Sequence, residues 1–122
     1  MAKKTLLLVE DDSDTQAAYK DLFTGYNIVQ VYDTAKAAEA LKKKKIDLIV
    51  LDIMLPKQTG DEFLKELRQD PKYKKYRKIP VVCVSVISEK EEEYKKIDPT
   101  LVFIAKPFSN EELLAAIKKK IK

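Results

Sequence analysis

Short runs of consecutive apolar residues recur along the chain: Leu6-Leu7-Leu8-Val9, Leu48-Ile49-Val50-Leu51, Val81-Val82-Cys83-Val84 and Leu101-Val102-Phe103-Ile104. An unbroken apolar run of this length reads as a strand covered on both faces, as parallel strands are. Ile28-Val29-Gln30-Val31-Tyr32 is less apolar and is expected at a sheet edge. Between these segments the spacing turns helical. Ala18, Leu22 and Phe23 share one helical face, with Ser13 or Asp14 as cap and Gly25 closing the helix. Thr34 is expected to cap a second helix that carries Ala37, Ala38 and Leu41 inward. Gly60 opens a third, with Phe63, Leu64 and Leu67 as its buried stripe, and Asp70-Pro71 stops it. The segment 72–78, with Tyr73 and Tyr76 among lysines, reads as an exposed connection. Ser88 and Glu91 have capping-box spacing for a short acidic helix that Asp98-Pro99 breaks. Ser109 and Glu112 repeat that spacing before a last helix lined by Leu113, Leu114, Ile117 and Ile121.

Strands that alternate with helices in this way predict an α/β protein. The expected architecture is a parallel sheet with right-handed crossovers and helices on both faces. The ends of the apolar runs then carry the chemistry. The first run ends in Glu10, Asp11 and Asp12, the third strand in Asp52, the fourth in Ser85, and the fifth runs into Ala105-Lys106-Pro107. In a parallel sheet these ends share one edge, which is where ligands bind in open α/β sheets. Glu10 and Asp11 follow Val9 directly and are the preferred acidic pair, with Asp12 the alternative partner of Asp11.

Carboxylates crowded at one edge repel, by about 4 kcal/mol per pair at ~4 Å in an effective dielectric near 20. A divalent cation with oxygen ligands offsets this, and Mg²⁺ prefers a few carboxylates plus water. Lys106 adds a fixed positive charge and Ser85 a hydroxyl donor. Together they suit a phosphoryl group, with Asp52 as the nucleophile that forms an acyl phosphate. Taken singly, each residue has a plainer role: a helix cap, a turn residue, a solvated lysine. Their joint placement at one edge argues for a site.

Composition narrows the classes. At 122 residues the chain is expected to form one domain, residues 1–122, with no effector domain after it. The lone Cys83 permits no internal disulfide, which fits a reducing compartment, and it reads as a small buried hydrophobe. No apolar run reaches membrane-spanning length and no signal peptide is evident, so a cytoplasmic location and no membrane partner are expected. The net charge of +4 raises nucleic acid as a partner. The lysines at 42–45, and Lys118, Lys119, Lys120 and Lys122, argue against it, because they sit at predicted helix ends, where the dipole favours cations.

In its acidic pair after the first strand, Asp52 with Pro56 and Gly60, Ser85, and Lys106-Pro107, the sequence resembles response-regulator receiver domains. The resemblance covers essentially the whole chain. It implies a flavodoxin-like, doubly wound five-stranded sheet in the order 2-1-3-4-5. It implies that Asp52 is the phosphoacceptor. Asp11 would bind Mg²⁺ directly, Glu10 largely through water, and the Met54 carbonyl would complete the protein ligands. Ser85 and Lys106 would engage the phosphoryl group, and Phe103 would change rotamer with Ser85. The implied donor is a sensor histidine kinase or a histidine phosphotransfer protein, since the chain itself has no histidine. The implied output is a downstream target protein bound at the face of the fourth helix, fifth strand and fifth helix. Such a domain is a signalling switch, not an enzyme that turns over an external substrate.

The chain departs from the family pattern at Val86, where Ala or Gly is usual. A bulkier side chain there favours the alternative of a phosphorylation-independent binding module. Met54 and Ile87, apolar where the family orients the hydrolytic water, imply slow autodephosphorylation. The residues 95–99 replace the usual Gly-Ala pair before the fifth strand. A dehalogenase-type phosphatase would need an acid at position 54, and a flavin or nucleotide carrier would need a phosphate loop after the first strand, where three acids stand.

Overall fold

The computed structural model describes residues 3–53, 58–86 and 90–121. Five strands, β1 (Thr5–Val9), β2 (Asn27–Val31), β3 (Leu48–Asp52), β4 (Val81–Ser85) and β5 (Val102–Ala105), form one parallel sheet in the order β2-β1-β3-β4-β5. The helices are α1 (Ser13–Leu22), α2 (Thr34–Lys43), α3 (Gly60–Gln69), α4 (Glu91–Ile97) and α5 (Asn110–Lys120). The half-buried strand β2 lies at the edge, as its mixed composition predicts.

Alternation along each strand divides the core in two. Leu7, Val9, Ile49, Leu51 and Cys83 face the side covered by α2, α3 and α4. Leu6, Leu8, Val50, Val82 and Val84 face α1 and α5. All five residues of β3 and of β4 are buried, so those two apolar runs are central strands covered on both faces. The equally apolar run 101–104 instead leads into β5, which is half-buried because it lies at the other edge of the sheet. Cys83 is fully buried, and burial pushes its thiol pKa up.

Register decides which side chains meet. Val9 lies beside Leu51, so Glu10 emerges level with Asp52. Asp52 lies beside Val84, and Ser85 beside Ala105, so Ser85 and Lys106 leave the sheet one residue further on.

Local details differ from the sequence expectations. Asp12, not Ser13 or Asp14, caps α1, because its carboxylate accepts from the Thr15 amide at 3.0 Å and the Thr15 hydroxyl at 2.6 Å. Asp33, not Thr34, caps α2 by accepting from the Lys36 amide at 2.8 Å. Ahead of α3 the cap is Thr59, paired with Glu62, and Gly60 is the first helical residue. That glycine is needed for close approach: a Cβ there would stand 2.8 Å from the Ile53 Cα and 3.0 Å from the Asp52 carbonyl oxygen. The buried face of α1 runs through Gln16, Tyr19 and Phe23, while Ala18 is exposed. The helix is turned toward the sheet end, where the Gln16 amide finds backbone carbonyls. The supposed exposed connection after α3 is a 3-10 helix, Pro71–Tyr76, and Tyr73 is buried because its ring packs edge-on against Phe63. Ser88, the expected cap of α4, lies outside the described residues.

Candidate phosphoacceptor and metal site

The site is built at the carboxyl ends of β1, β3, β4 and β5. Glu10 and Asp52 are buried, 1% and 5% exposed, while Asp11 faces solvent. One ligand oxygen from each of Glu10, Asp11 and Asp52 lies within 4.8 Å of the others. Lys106 Nζ stands 3.3 Å from Glu10 Oε1 and 3.3 Å from Asp52 Oδ2. The Lys106 amide donates to the Ser85 carbonyl at 2.7 Å, which fixes where the lysine leaves β5. Ser85 itself is fully buried.

The electrostatics show an incompletely compensated cluster. Burial, then the hydrogen bond that the protonated Glu10 carboxyl donates to Asp52 and the charge on Asp52, push the Glu10 carboxyl up to about 7. Burial acts to lower the Lys106 ammonium pKa, but the charges of Asp52 and Glu10 outweigh it and hold that pKa above its usual value. Among the described residues the Lys106 ammonium thus serves both buried carboxylates, and the negative charge at Glu10 is relieved in part by retaining a proton. A small divalent cation would relieve it better, since the cluster offers oxygen donors from two buried carboxylates and one exposed one. Asp12 is turned to its helix, and its bonds to the Thr15 hydroxyl and amide lower its pKa. Its place as the alternative partner of Asp11 is therefore taken by the cap.

Gln16 is the site residue that sequence reasoning missed. The residue is 2% exposed, and its amide donates to the carbonyls of Leu8 (3.1 Å), Glu10 (3.1 Å) and Val31 (2.9 Å). Its own Oε1 accepts from Gln30 Nε2 at 2.9 Å. The Glu10 backbone is held from the other side by its amide, which donates to the Val31 carbonyl at 3.1 Å. The usable signal was a polar residue where the first helix turns inward. Tyr19 is the second missed neighbour. Burial and the charges of Glu10 and Asp52 push its phenol pKa up, and its buried hydroxyl finds no partner among the described residues.

Phe103 is half-buried and packs edge-on against Tyr94 of α4 at 6.0 Å between ring centres. Val86 is 67% exposed beside Ser85. Met54, the expected carbonyl ligand, and Ile87 lie outside the described residues, as does Pro56 of the motif.

The response regulator receiver domain family model matches residues 6–118. The transcriptional regulatory protein CpxR of Klebsiella pneumoniae is 31% identical over 116 residues, covering 93% of this chain and 47% of its own length. Hybrid signal transduction histidine kinase D of Dictyostelium discoideum is 29% identical over 117 residues, 94% of this chain and 7% of that protein. The chain therefore spans about half of the bacterial regulator and a small fraction of the hybrid kinase. The receiver domain of sensor histidine kinase PA1611 from Pseudomonas aeruginosa PAO1 superposes with a TM-score of 0.83 at 24% identity, covering 98% of each chain. That structure carries a magnesium ion coordinated in its active site cleft. No helix among the described residues is long and apolar enough to cross a membrane. Parallel sheet order, an acidic pocket that fits a phosphoacceptor site and a family match along nearly its whole length agree: this chain belongs to the receiver domains of two-component response regulators.

Proposed function

We propose that Asp52 accepts a phosphoryl group from a phosphohistidine outside this chain, on a sensor kinase or a phosphotransfer protein. A carboxylate oxygen attacks phosphorus, the P–N bond breaks, and the imidazole leaves. Glu10, Asp11 and Asp52 would hold Mg²⁺, which supplies positive charge for the phosphoryl oxygens. The Met54 carbonyl remains an expected further ligand. Lys106, shared between Glu10 and Asp52, is poised to follow the added negative charge, and the Ser85 hydroxyl to donate to a phosphoryl oxygen. The observation that carries this reading is the convergence of three carboxylates around one ammonium at 3.3 Å from two of them.

Output would follow from packing. A shift of Ser85 and Lys106 displaces β5, and Phe103 passes that change to Tyr94, altering the face made by α4, β5 and α5 for a target protein. The acyl phosphate is expected to be long-lived, with no turnover of an external substrate.

The test is intact mass after incubation with acetyl phosphate and Mg²⁺, beside Asp52→Asn. Gain of one phosphoryl group only in the unsubstituted protein, and only with metal, supports the assignment. No gain despite measurable Mg²⁺ binding would favour the phosphorylation-independent module, and recovery in Val86→Ala would assign the block to Val86. Loss of the phosphoryl group within seconds would overturn the slow decay.

A further inference from the structure

At the opposite end of the sheet from the carboxylates lies a cavity of about 420 Å³. The lysines at 42–45 and Lys75 surround it, over an apolar wall that includes Ile46, Tyr76 and Ile79. These side chains come from separate parts of the chain: the end of α2, the segment entering β3, the 3-10 helix and the residue before β4. None of the five lysines makes an ion pair among the described residues. Asp47, the acid that follows them, is occupied, accepting from the Thr5 amide at 2.8 Å. The α2 dipole accounts for Lys42 and Lys43 in its last turn. It does not account for Lys45 or for Lys75, which arrives from another element. A second concavity beside β2 shares Lys44 and Lys45, so positive charge is continuous along this edge.

We propose that this cavity binds a nucleoside polyphosphate, with its phosphates among the lysines and its base against the apolar and aromatic wall. The volume falls in the range of small-ligand pockets, roughly 300–1,000 Å³. Lysines act on phosphate as flexible point charges and need no fixed fork geometry. A bare inorganic anion would leave the Tyr76 and Ile79 wall unused. A nucleic-acid strand is read chiefly through arginine, and the cavity lining holds none. The site lies a strand's length from Asp52, so its occupation does not depend on phosphorylation.

The experiment is calorimetric titration of the intact chain with ATP, adenosine, inorganic tripolyphosphate and a single-stranded oligonucleotide, in chelator to keep the acidic site out of the reading. The proposal expects saturable one-to-one ATP binding, at least tenfold tighter than tripolyphosphate, weakened between 50 and 200 mM salt (roughly the span over which phosphate contacts are screened), and no measurable adenosine binding. Lys45→Gln combined with Lys75→Gln, both at exposed positions, should weaken ATP tenfold or more with unchanged thermal stability. Absence of saturable ATP binding, equal affinity for ATP and tripolyphosphate, indifference to the double substitution, or preference for the oligonucleotide would each overturn it.

Discussion

Two buried acidic groups in this molecule live in opposite circumstances. Asp98, at the end of α4, is fully provided for: Arg68 Nε and Nη2 both reach its Oδ2 at 2.9 Å, and the Thr100 amide and hydroxyl reach its Oδ1 at 3.0 and 2.7 Å. Burial alone would raise its pKa, but those bonds and the Arg68 charge outweigh it and hold the carboxyl below its usual range. Glu10 and Asp52 are as deeply buried, but among the described residues the cation they meet is the Lys106 ammonium, shared between them, and Glu10 is pushed up to about 7. A carboxylate whose lone pairs are filled by its own chain is a structural tie. A buried carboxyl that burial and a neighbouring carboxylate push up to about 7, as at Glu10, marks a place for a cation. The contrast separates architecture from site with no reference to motif.

The largest expected break of that contrast is Asp52→Asn, which should abolish phosphoryl uptake from acetyl phosphate while leaving thermal stability equal or higher, because it removes one of two competing buried charges. Intact mass and a melting curve read the two effects together. Next comes Arg68→Leu, which strands Asp98 as an unpaired buried charge and should cost about 3–5 kcal/mol of stability by urea unfolding. Phosphoryl uptake by its folded fraction should persist, since Arg68 touches no carboxylate of the site. Loss of uptake without loss of stability would reverse the assignment.

A sharper version uses Gln16. Replacing it with Leu leaves the carbonyls of Leu8, Glu10 and Val31 without its amide. Metal affinity should fall about 10–100-fold, the usual consequence of losing a group that orients a ligand. Calorimetric titration with Mg²⁺ measures it at temperatures where the variant is folded. Gly60→Ala should cost roughly 1–3 kcal/mol, because the added methyl meets backbone at the end of β3 and not a side chain that can swing away.

The response to pH is the most diagnostic, since the two acids have opposite signs. The Asp98 pKa is depressed in the fold, so its stabilisation is present above the unfolded value near 3.8 and is lost as pH falls through the folded value. The Glu10 pKa is raised from 4.5 to about 7. Between those values the folded state holds a proton that the unfolded state has released, so metal-free stability should rise as pH falls from 7 toward 4.5. Urea midpoints across pH in chelator should climb and then drop, and Glu10→Gln should flatten only the climb.

Much of this was open to sequence reasoning. Apolar runs such as 48–51 mark buried strands by local pattern alone, and Asp52 ending one of them must lie at the sheet edge because a charge inside the strand would be too costly. The short caps were displaced by a residue at Asp12 and Asp33, because several neighbouring oxygens can cap and only the chain's path selects one. Tyr73 looked exposed among lysines, and became core when Phe63 of α3 met it across the turn.

The sequence by itself determined the five strands and five α-helices, their alternation, the edge character of β2 and the placement of Glu10, Asp11, Asp52, Ser85 and Lys106 at strand ends, all of which depend on neighbours close in the chain. Only the tertiary structure decided what those residues face. Lys106 meets Glu10 across 96 residues, Arg68 meets Asp98 across 30, and Gln16 reaches Val31 across 15. Such pairings depend on register and on the rotation of packed helices, quantities that local patterning leaves free and that the packing of the whole core fixes at once.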